Sequence, residues 1–209
     1  MPKVLKKSEK IVRAAMELFY KNGFHATGIE AILKKAQVSK KTLYAYFESK
    51  DALILEALKY RSDQFNSFWD MVRERANTPR DCLLVIFDLQ KEWFESDMFY
   101  GCLFINAVGE YSRKGNPFKK MSQTVKEETY ENIKELLEEM NHPNPPSAAE
   151  KITLLFEGAI VTAQVSGESR SADIAREIVR MILDNDIKEN KQEEEEIKEV
   201  VAGEIMWNR

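Results

Sequence analysis

The chain has 209 residues, 44% of them hydrophobic, and its 31 Lys and Arg against 35 Asp and Glu give a net charge of −4. This length suits either one large helical unit or a small head on a larger body, and no apolar run of about 18 residues is present that could span a membrane. The N-terminus is a basic arm without the apolar core of a signal peptide, so we expect a cytoplasmic protein whose Cys82 and Cys102 are free thiols.

The first predicted helix ends at Gly23, which we expect in the left-handed conformation that closes many helices. Its apolar residues recur at helical spacing and predict one buried stripe: Ile11, Ala14, Ala15, Leu18 and Phe19. A second helix is predicted to begin at Thr27, because Thr27 and Glu30 have the spacing of a capping box. Its stripe, formed by Ile29, Ile32, Leu33 and Ala36, breaks off at residues 37–38.

A third helix is predicted from Ser39, a residue type that commonly caps helix N-termini. Leu43 and Phe47 lie one turn apart and should face inward, which leaves the first turns to point polar side chains outward. Those outward residues are Lys40, Lys41, Thr42 and Tyr44, which offer donors to bases and phosphates. A further helix is predicted from Ser49, and Lys50 beside that N-terminus opposes the helix dipole, which favours a phosphate contact.

Residues 8 to 55 resemble the DNA-binding domain of TetR-type transcriptional regulators. The matching residues are Ala14, Ala15, Leu18, Phe19, Gly23, Phe24, Thr27, Ile29, Ile32, Ala36, Val38, Ser39, Lys40, Thr42, Leu43, Tyr44, Tyr46, Phe47, Ser49 and Lys50. The resemblance implies an all-helical homodimer, a repressor or less often an activator, whose second domain binds a small molecule that weakens binding to a double-stranded DNA operator. The DNA-contacting residues expected on this basis are Thr27, Ser39, Lys40, Lys41, Thr42, Tyr44, Tyr46 and Lys50.

Charge is divided unevenly along the chain. Residues 1–50 contain eleven Lys and Arg and four Glu, a net charge of +7, so residues 51–209 carry −11. A basic head on an acidic body confines a nucleic acid to one end of the protein, although scattered surface lysines remain an alternative explanation.

The rest of the chain is predicted to be helical, which gives an all-α fold. Helices are expected from Ser49 to about Arg75, from Thr78 to about Phe94, from Asn116 to about Met140, from Ala148 to about Val165 and from Ala172 to Leu183, the fourth opened by a capping box of Ser147 and Glu150. The apolar run 102–108 could alone be a strand or a helix, and helical surroundings favour a helix. We predict a helix-turn-helix DNA-binding domain over residues 1–50, a helical ligand-binding and dimerisation domain over 51–187, and a charged tail over 188–209, where a short extra helix is an open alternative.

The two helices at 148–165 and 172–183 carry more apolar surface than one core needs. Two helices from each subunit would form a four-helix dimer interface, whereas burial of both in a large monomer core is the alternative. The predicted interface residues are Val161, Val165, Ile178, Val179 and Ile182.

Aromatic residues and methionines are plentiful between residues 51 and 165, where the family places its ligand. Core packing explains any one of them at least as well, but together with nearby polar groups they predict a pocket for a small apolar effector. The predicted lining residues are Trp69, Phe87, Trp93, Phe104, Asn106, Tyr130 and Phe156. A ligand there could displace the helix that begins at Ser49 and so move the DNA-binding head.

Two other functions make different demands on the sequence. A DNA-binding factor without a small-molecule inducer, constitutive or controlled by a protein, would keep the head and need no pocket. An enzyme is disfavoured and no cofactor or metal is expected, because the chain has two histidines, His25 and His142, and no glycine-rich phosphate loop. A redox role for Cys102, which follows Gly101 at the start of an apolar run, is a weaker hypothesis than simple burial.

Overall fold

A computed structural model describes residues 6–112 and 115–185, and within these ranges it contains helices and no strand. The predicted all-α class is therefore confirmed. The predicted tail at 188–209 lies outside the described residues. The helices are α1 (Lys7–Asn22), α2 (Ile29–Ala36), α3 (Lys40–Tyr46), α4 (Lys50–Arg75), α5 (Pro79–Phe94), α6 (Leu103–Glu110), α7 (Pro117–Glu139), α8 (Pro145–Ser166) and α9 (170–185).

The helices group into two compact units. The first unit holds the described residues up to Met71 together with Met98–Glu128, and the second holds Val72–Asp97 and the described residues from Thr129 onward. Helices α4 and α7 each contribute to both units. The functional boundary at residue 50 stays a prediction, because compactness groups α6 and parts of α4 and α7 with the first three helices.

The first three helices enclose a small apolar core. Ile11, Phe19, Phe24, Ile32 and Leu43 are all buried. The rings of Phe19 and Phe24 stack with their centroids 5.2 Å apart. The predicted inward stripes of α1 and α2 therefore meet here, and α3 closes the core.

The predicted start of α2 at Thr27 is wrong. The helix begins at Ile29, and Gly28 occupies the N-cap position without a side-chain cap. Thr27 is buried, and its hydroxyl is shared between the carbonyl oxygens of Gly23 at 2.7 Å and Leu18 at 3.1 Å. The hydroxyl donates toward α1 instead of accepting from α2, so no capping box with Glu30 forms.

The left-handed helical conformation predicted for Gly23 is also wrong. Gly23 ends α1 with φ 88° and ψ 161°, a positive φ that is not the left-handed helical conformation. Gln37 adopts that conformation, with φ 55° and ψ 47°, and closes α2 at the predicted break. Glycine adopts the left-handed helical region without steric cost, which is why the sequence suggested Gly23. At the end of α2 a glutamine adopts it instead, and its Cβ adds steric strain.

Local capping signals set most of the remaining boundaries. The side chains of Ser49 and Thr78 accept from the backbone N–H groups of Ala52 and Asp81, both at 3.1 Å. The Asn116 side chain accepts from Phe118 N–H at 2.8 Å. These predicted helix starts are confirmed, and the ambiguous run at 102–108 lies largely in the helix α6.

The predicted capping box at Ser147 and Glu150 is wrong, because α8 begins one turn earlier. Asn144 is the N-cap and accepts from Ser147 N–H at 3.3 Å, and Pro145 stands at the first helical position. Proline is well suited there, since it has no N–H to leave unpaired and its φ is already helical. No helix within the described residues is long and apolar enough to cross a membrane.

Helix α9 packs one face inward within the second unit. Ala172, Ala175, Val179 and Leu183 form that face and are buried. Val179 is fully buried, so its predicted place in a dimer interface is corrected to the protomer core. Three ion pairs join α9 to α5: Lys91 with Asp173, Arg176 with Asp88, and Arg80 with Asp184.

Candidate DNA-binding surface

Helix α3 is held from below by two apolar side chains. Leu43 is 0% exposed and Phe47, directly after the helix, is 8% exposed. The inward direction predicted for both residues is confirmed. Because seven residues are too few for a stable isolated helix, this burial keeps α3 ordered.

The opposite side of α3 is polar, aromatic and basic. Tyr44 and Tyr46 are 44% and 52% exposed, which is unusual for large aromatic side chains. Lys40 and Lys41 are exposed beside them, and Thr42 is half-buried. Phenol and ammonium groups on the first turns of such a helix can donate to phosphate oxygens and base edges.

The N-terminus of α3 is capped by its own hydroxyls. The exposed Ser39 accepts from Thr42 N–H at 3.1 Å, and the two side-chain oxygens are 2.9 Å apart. A contact between these hydroxyls and DNA would therefore form in addition to the capping bonds or in place of them. The lysines and tyrosines of α3 have no such role in the helix backbone.

Lys40 forms one weak ion pair with Glu30. Its ammonium lies 3.5 Å from the carboxylate, and the two side chains are 64% and 78% exposed. Exposed pairs of this kind contribute little and are screened by salt, so a phosphate can replace Glu30 as the partner of Lys40.

Two predicted contact residues have roles inside the protein. Thr27 is buried and its hydroxyl is bonded to carbonyl oxygens, so its predicted contact with DNA is corrected to a structural role. The Lys50 ammonium lies 6.0 Å from the centre of the Phe19 ring. This cation–π contact gives a structural reason for a lysine at a helix N-terminus, alongside the proposed phosphate contact.

A three-residue ion network braces α1 against α2. The Glu17 carboxylate lies 2.8 Å from the Lys35 ammonium and 3.2 Å from Arg13 Nε. The hydrogen bond from Lys35 lowers the pKa of Glu17 below its usual 4.5; partial burial opposes this change and Arg13 reinforces it. The network thus stabilises the charged carboxylate and the helix that supports α3.

Sequence reasoning missed Glu110, the last residue of α6. Its carboxylate accepts from the backbone N–H groups of Phe24 at 2.8 Å and His25 at 2.6 Å. Its carbonyl oxygen lies 3.0 Å from His25 Nε2. No local pattern could indicate these bonds, because they join residues about 85 positions apart.

The predicted pocket residues are divided between the two compact units. Trp69, Phe104 and Asn106 belong to the first unit, and Phe87, Trp93, Tyr130 and Phe156 belong to the second. Within the second unit the rings of Phe87 and Phe156 meet edge to face, with centroids 6.2 Å apart. The pocket itself stays a prediction.

Most of the predicted dimer residues lie on the surface of the protomer. Val165 is 85% exposed, Val161 and Ile178 are exposed, and Ile182 is half-buried. Leu154, Ile174 and Met181 extend this exposed apolar surface of α8 and α9. Large exposed apolar surfaces of this kind commonly mark contacts between proteins.

Cys102 is buried at the N-cap position of α6. The Lys126 ammonium lies 3.6 Å from its sulfur. Burial agrees with a packing role, and the redox hypothesis stays a prediction.

The chain is similar to known bacterial regulators. Residues 11–57 match the family model of bacterial regulatory proteins, tetR family. Over 177 residues the chain is 24% identical to the HTH-type transcriptional regulator YjdC of Escherichia coli. The alignment covers 84% of this chain and 92% of YjdC. A shorter match of 73 residues, 36% identical, links it to the HTH-type transcriptional regulator QacR of Staphylococcus aureus and covers 35% of this chain and 39% of QacR.

Solved structures share the fold. A TetR-family transcriptional regulator from Streptomyces coelicolor superimposes with a TM-score of 0.79 at 23% identity, covering 86% of this chain and 95% of that one. The reduced form of E. coli NemR gives a TM-score of 0.75 at 21% identity, covering 83% and 94%. At these identities the likeness concerns the fold alone.

The network around Glu17 predicts a pH-dependent contribution to stability. Because the folded-state pKa of Glu17 is lowered, its stabilisation is present above pH 4.5 and is lost as the pH falls through the folded-state value. Glu17→Gln should lower the free energy of unfolding by up to about 1 kcal/mol at pH 7, with the difference shrinking below pH 4.5. Urea titrations between pH 3 and 7 measure it, with the exposed Glu48→Gln as control. A Glu17→Gln effect that is constant over this range would contradict the assignment.

Proposed function

We propose that the chain is a helix-turn-helix transcriptional regulator of the TetR type, a repressor that binds a palindromic operator as a homodimer and is released by a small, mostly apolar molecule. The observation that carries the DNA-binding part is the pair of faces on α3. Leu43 and Phe47 are buried, while Lys40, Lys41 and Tyr44 are exposed.

Charge supports the same orientation toward DNA. Residues 1–50 carry a net charge of +7 in a chain whose total is −4. Lysines near the duplex release condensed counterions, so affinity should fall steeply with salt. If the dimer neutralises about eight phosphates, the slope of log affinity against log salt is about −7.

The exposed apolar surface of α8 and α9 supports the homodimer. Leu154, Val161 and Val165 recur at helical spacing on α8, and Ile174, Ile178 and Met181 do so on α9. A groove of about 390 Å³ runs between the two helices. In a two-fold symmetric dimer, the same surface of a second copy packs against this groove. Each subunit therefore contributes the same apolar residues to the interface. Two heads then read two half-sites, which gives the specificity that one short helix lacks.

A buried polar group supports an effector site in the second unit. Gln90 is 1% exposed, and its amide nitrogen donates to the Phe156 carbonyl oxygen at 2.9 Å. That bond fixes the orientation of the amide, and its oxygen has no hydrogen-bond partner within the described residues. The ring of Phe156, whose carbonyl accepts this bond, meets the ring of Phe87 edge to face. An apolar effector that carries one hydrogen-bond donor would give the Gln90 oxygen the partner that it lacks.

Modest energies suffice for release. A tenfold loss of DNA affinity needs about 1.4 kcal/mol of coupling between the two sites. Half-sites lie about 34 Å apart on B-DNA, so a shift of a few ångströms in the spacing of the recognition helices misaligns one head.

The proposed DNA contacts are tested on a duplex selected from a random pool. Lys41→Ala and Tyr44→Ala should each weaken binding by about 1–3 kcal/mol, because each removes a donor to a phosphate or base while the buried face of α3 is unchanged. Lys119→Ala, an exposed lysine on α7, is the matched control and should bind normally. Failure of the wild type to enrich any duplex would rule the proposal out.

The proposed dimer contact is tested with a charge on the exposed stripe. Val161→Arg should yield helical monomers with little DNA affinity, because the new charge would be buried between two copies. Met98→Arg alters another exposed apolar residue, one that belongs to neither α8 nor α9, and should stay dimeric. Sedimentation at micromolar concentration distinguishes them, and a monomeric wild type would overturn the assignment.

The effector is tested by reciprocity. Apolar and aromatic metabolites are titrated against the protein with and without the selected duplex, and a true effector must bind more weakly in its presence by the factor by which it weakens DNA binding. Gln90→Leu should weaken those effectors that carry a donor. Failure of a broad panel would favour a DNA-binding factor without a small-molecule inducer.

A further inference from the structure

The residues that directly precede α6 are hydrogen-bonded to α1. Tyr20 is buried on α1, and its hydroxyl donates to the Gly101 carbonyl oxygen at 2.8 Å. The same hydroxyl accepts from Tyr100 N–H at 3.0 Å, and the rings of Tyr20 and Tyr100 meet edge to face at 5.3 Å. The residues directly before α6 are therefore held by one side chain of the DNA-binding head.

The exit of α6 is fastened to the turn between α1 and α2. The Glu110 carboxylate accepts from two consecutive backbone N–H groups, those of Phe24 and His25. Hydrogen bonds to an ionised acceptor are about twice as strong as neutral ones. We call this contact the Glu110 clamp.

Gly23 makes room for the clamp. Its φ is +88°, and a Cβ at this position would lie 3.0 Å from Glu110 Oε1. Glycine therefore meets two demands at once, a positive φ and a close approach of the carboxylate. The turn and the glutamate fit one another closely.

The Glu110 clamp is flanked by contacts between aromatic rings. The His25 ring lies 4.5 Å from the Tyr111 ring, and Tyr111 meets Phe118 edge to face at 4.7 Å. Phe118 belongs to the first turn of α7. On α7, the Ser122 hydroxyl lies 3.2 Å from the Phe104 carbonyl oxygen of α6. Contacts thus run from α7 through α6 to the turn that precedes α2.

We propose that Glu110 is a positioning residue for DNA recognition, which fixes the orientation of α2 and α3 relative to α6 and thereby the spacing of the two recognition helices in the dimer. This inference rests on the proposed function, because only a dimer on a palindrome has such a spacing. The route is separate from the covalent link through α4. Loosening the clamp lets each head sample more orientations, so the dimer discriminates less between correctly and incorrectly spaced half-sites.

The test compares two duplexes. One is the selected operator, and the other has one base pair inserted at its centre, which rotates and displaces the half-sites. Glu110→Gln should lower the ratio of the two affinities about fivefold relative to the wild type, because the amide keeps one acceptor and turns an NH₂ group toward the second N–H. Glu127→Gln, the same change at an exposed position on α7, is the matched control and should keep the wild-type ratio.

Amide hydrogen exchange reports the clamp without DNA. The N–H groups of Phe24 and His25 should exchange faster in Glu110→Gln than in Glu127→Gln. Loss of folded heads alone would lower both affinities equally and leave the ratio unchanged, so the ratio separates positioning from stability. Glu110→Asp, which keeps the charge but shortens the reach, should lower the ratio as well and carries the test if Glu110→Gln does not fold.

The outcomes distinguish this inference from the function on which it rests. If the wild type binds no duplex, both the proposed function and the positioning role are wrong. If the wild type binds and discriminates spacing, and the folded Glu110 variant has the same ratio of the two affinities, only the positioning role is wrong. Unchanged exchange at Phe24 and His25 would show that the clamp does not form in solution, and would also overturn it.

Discussion

Burial of Leu43 and Phe47 is the constraint on which the proposed DNA-binding surface depends. Helix α3 has seven residues, too few to be stable alone, and fully burying an apolar side chain of this size contributes about 1.5–3 kcal/mol. Two anchors on one side of α3 therefore order the helix and leave the other side to Lys40, Lys41 and Tyr44. The exposed side chains of α3 keep their arrangement because the buried side chains hold the helix in place.

Signals that act within a few residues could be predicted from the sequence. Ser39, Ser49 and Thr78 cap helices as expected, because a hydroxyl and an N–H three positions later come together in any such turn. Thr27 shows the limit of such local signals, since a hydroxyl can donate as well as accept. Its hydroxyl donates to the Gly23 carbonyl oxygen at the end of α1 and does not cap α2. The Glu110 clamp was beyond sequence reasoning, because its partners are brought near by tertiary packing.

Burial on α9 shows a second limit. Helical periodicity places Ile178, Val179 and Ile182 on adjoining stripes, yet it does not state which stripe meets the protomer core. Val179 faces that core, whereas Ile178 is exposed. The same ambiguity affects the aromatic residues of the predicted pocket, since core packing and ligand binding use the same residue types. Surplus apolar surface can be counted from sequence, but its partner must be found in the structure.

In the proposed complex, two copies of α3 enter successive major grooves on one side of a duplex. Hydroxyl-radical and methylation footprints of the wild-type dimer on its selected operator test this directly. This arrangement predicts two protected major-groove segments that are related by a two-fold axis and whose centres lie about one helical turn, or a small multiple of it, apart. A single protected segment, or protection confined to the minor groove, would contradict it.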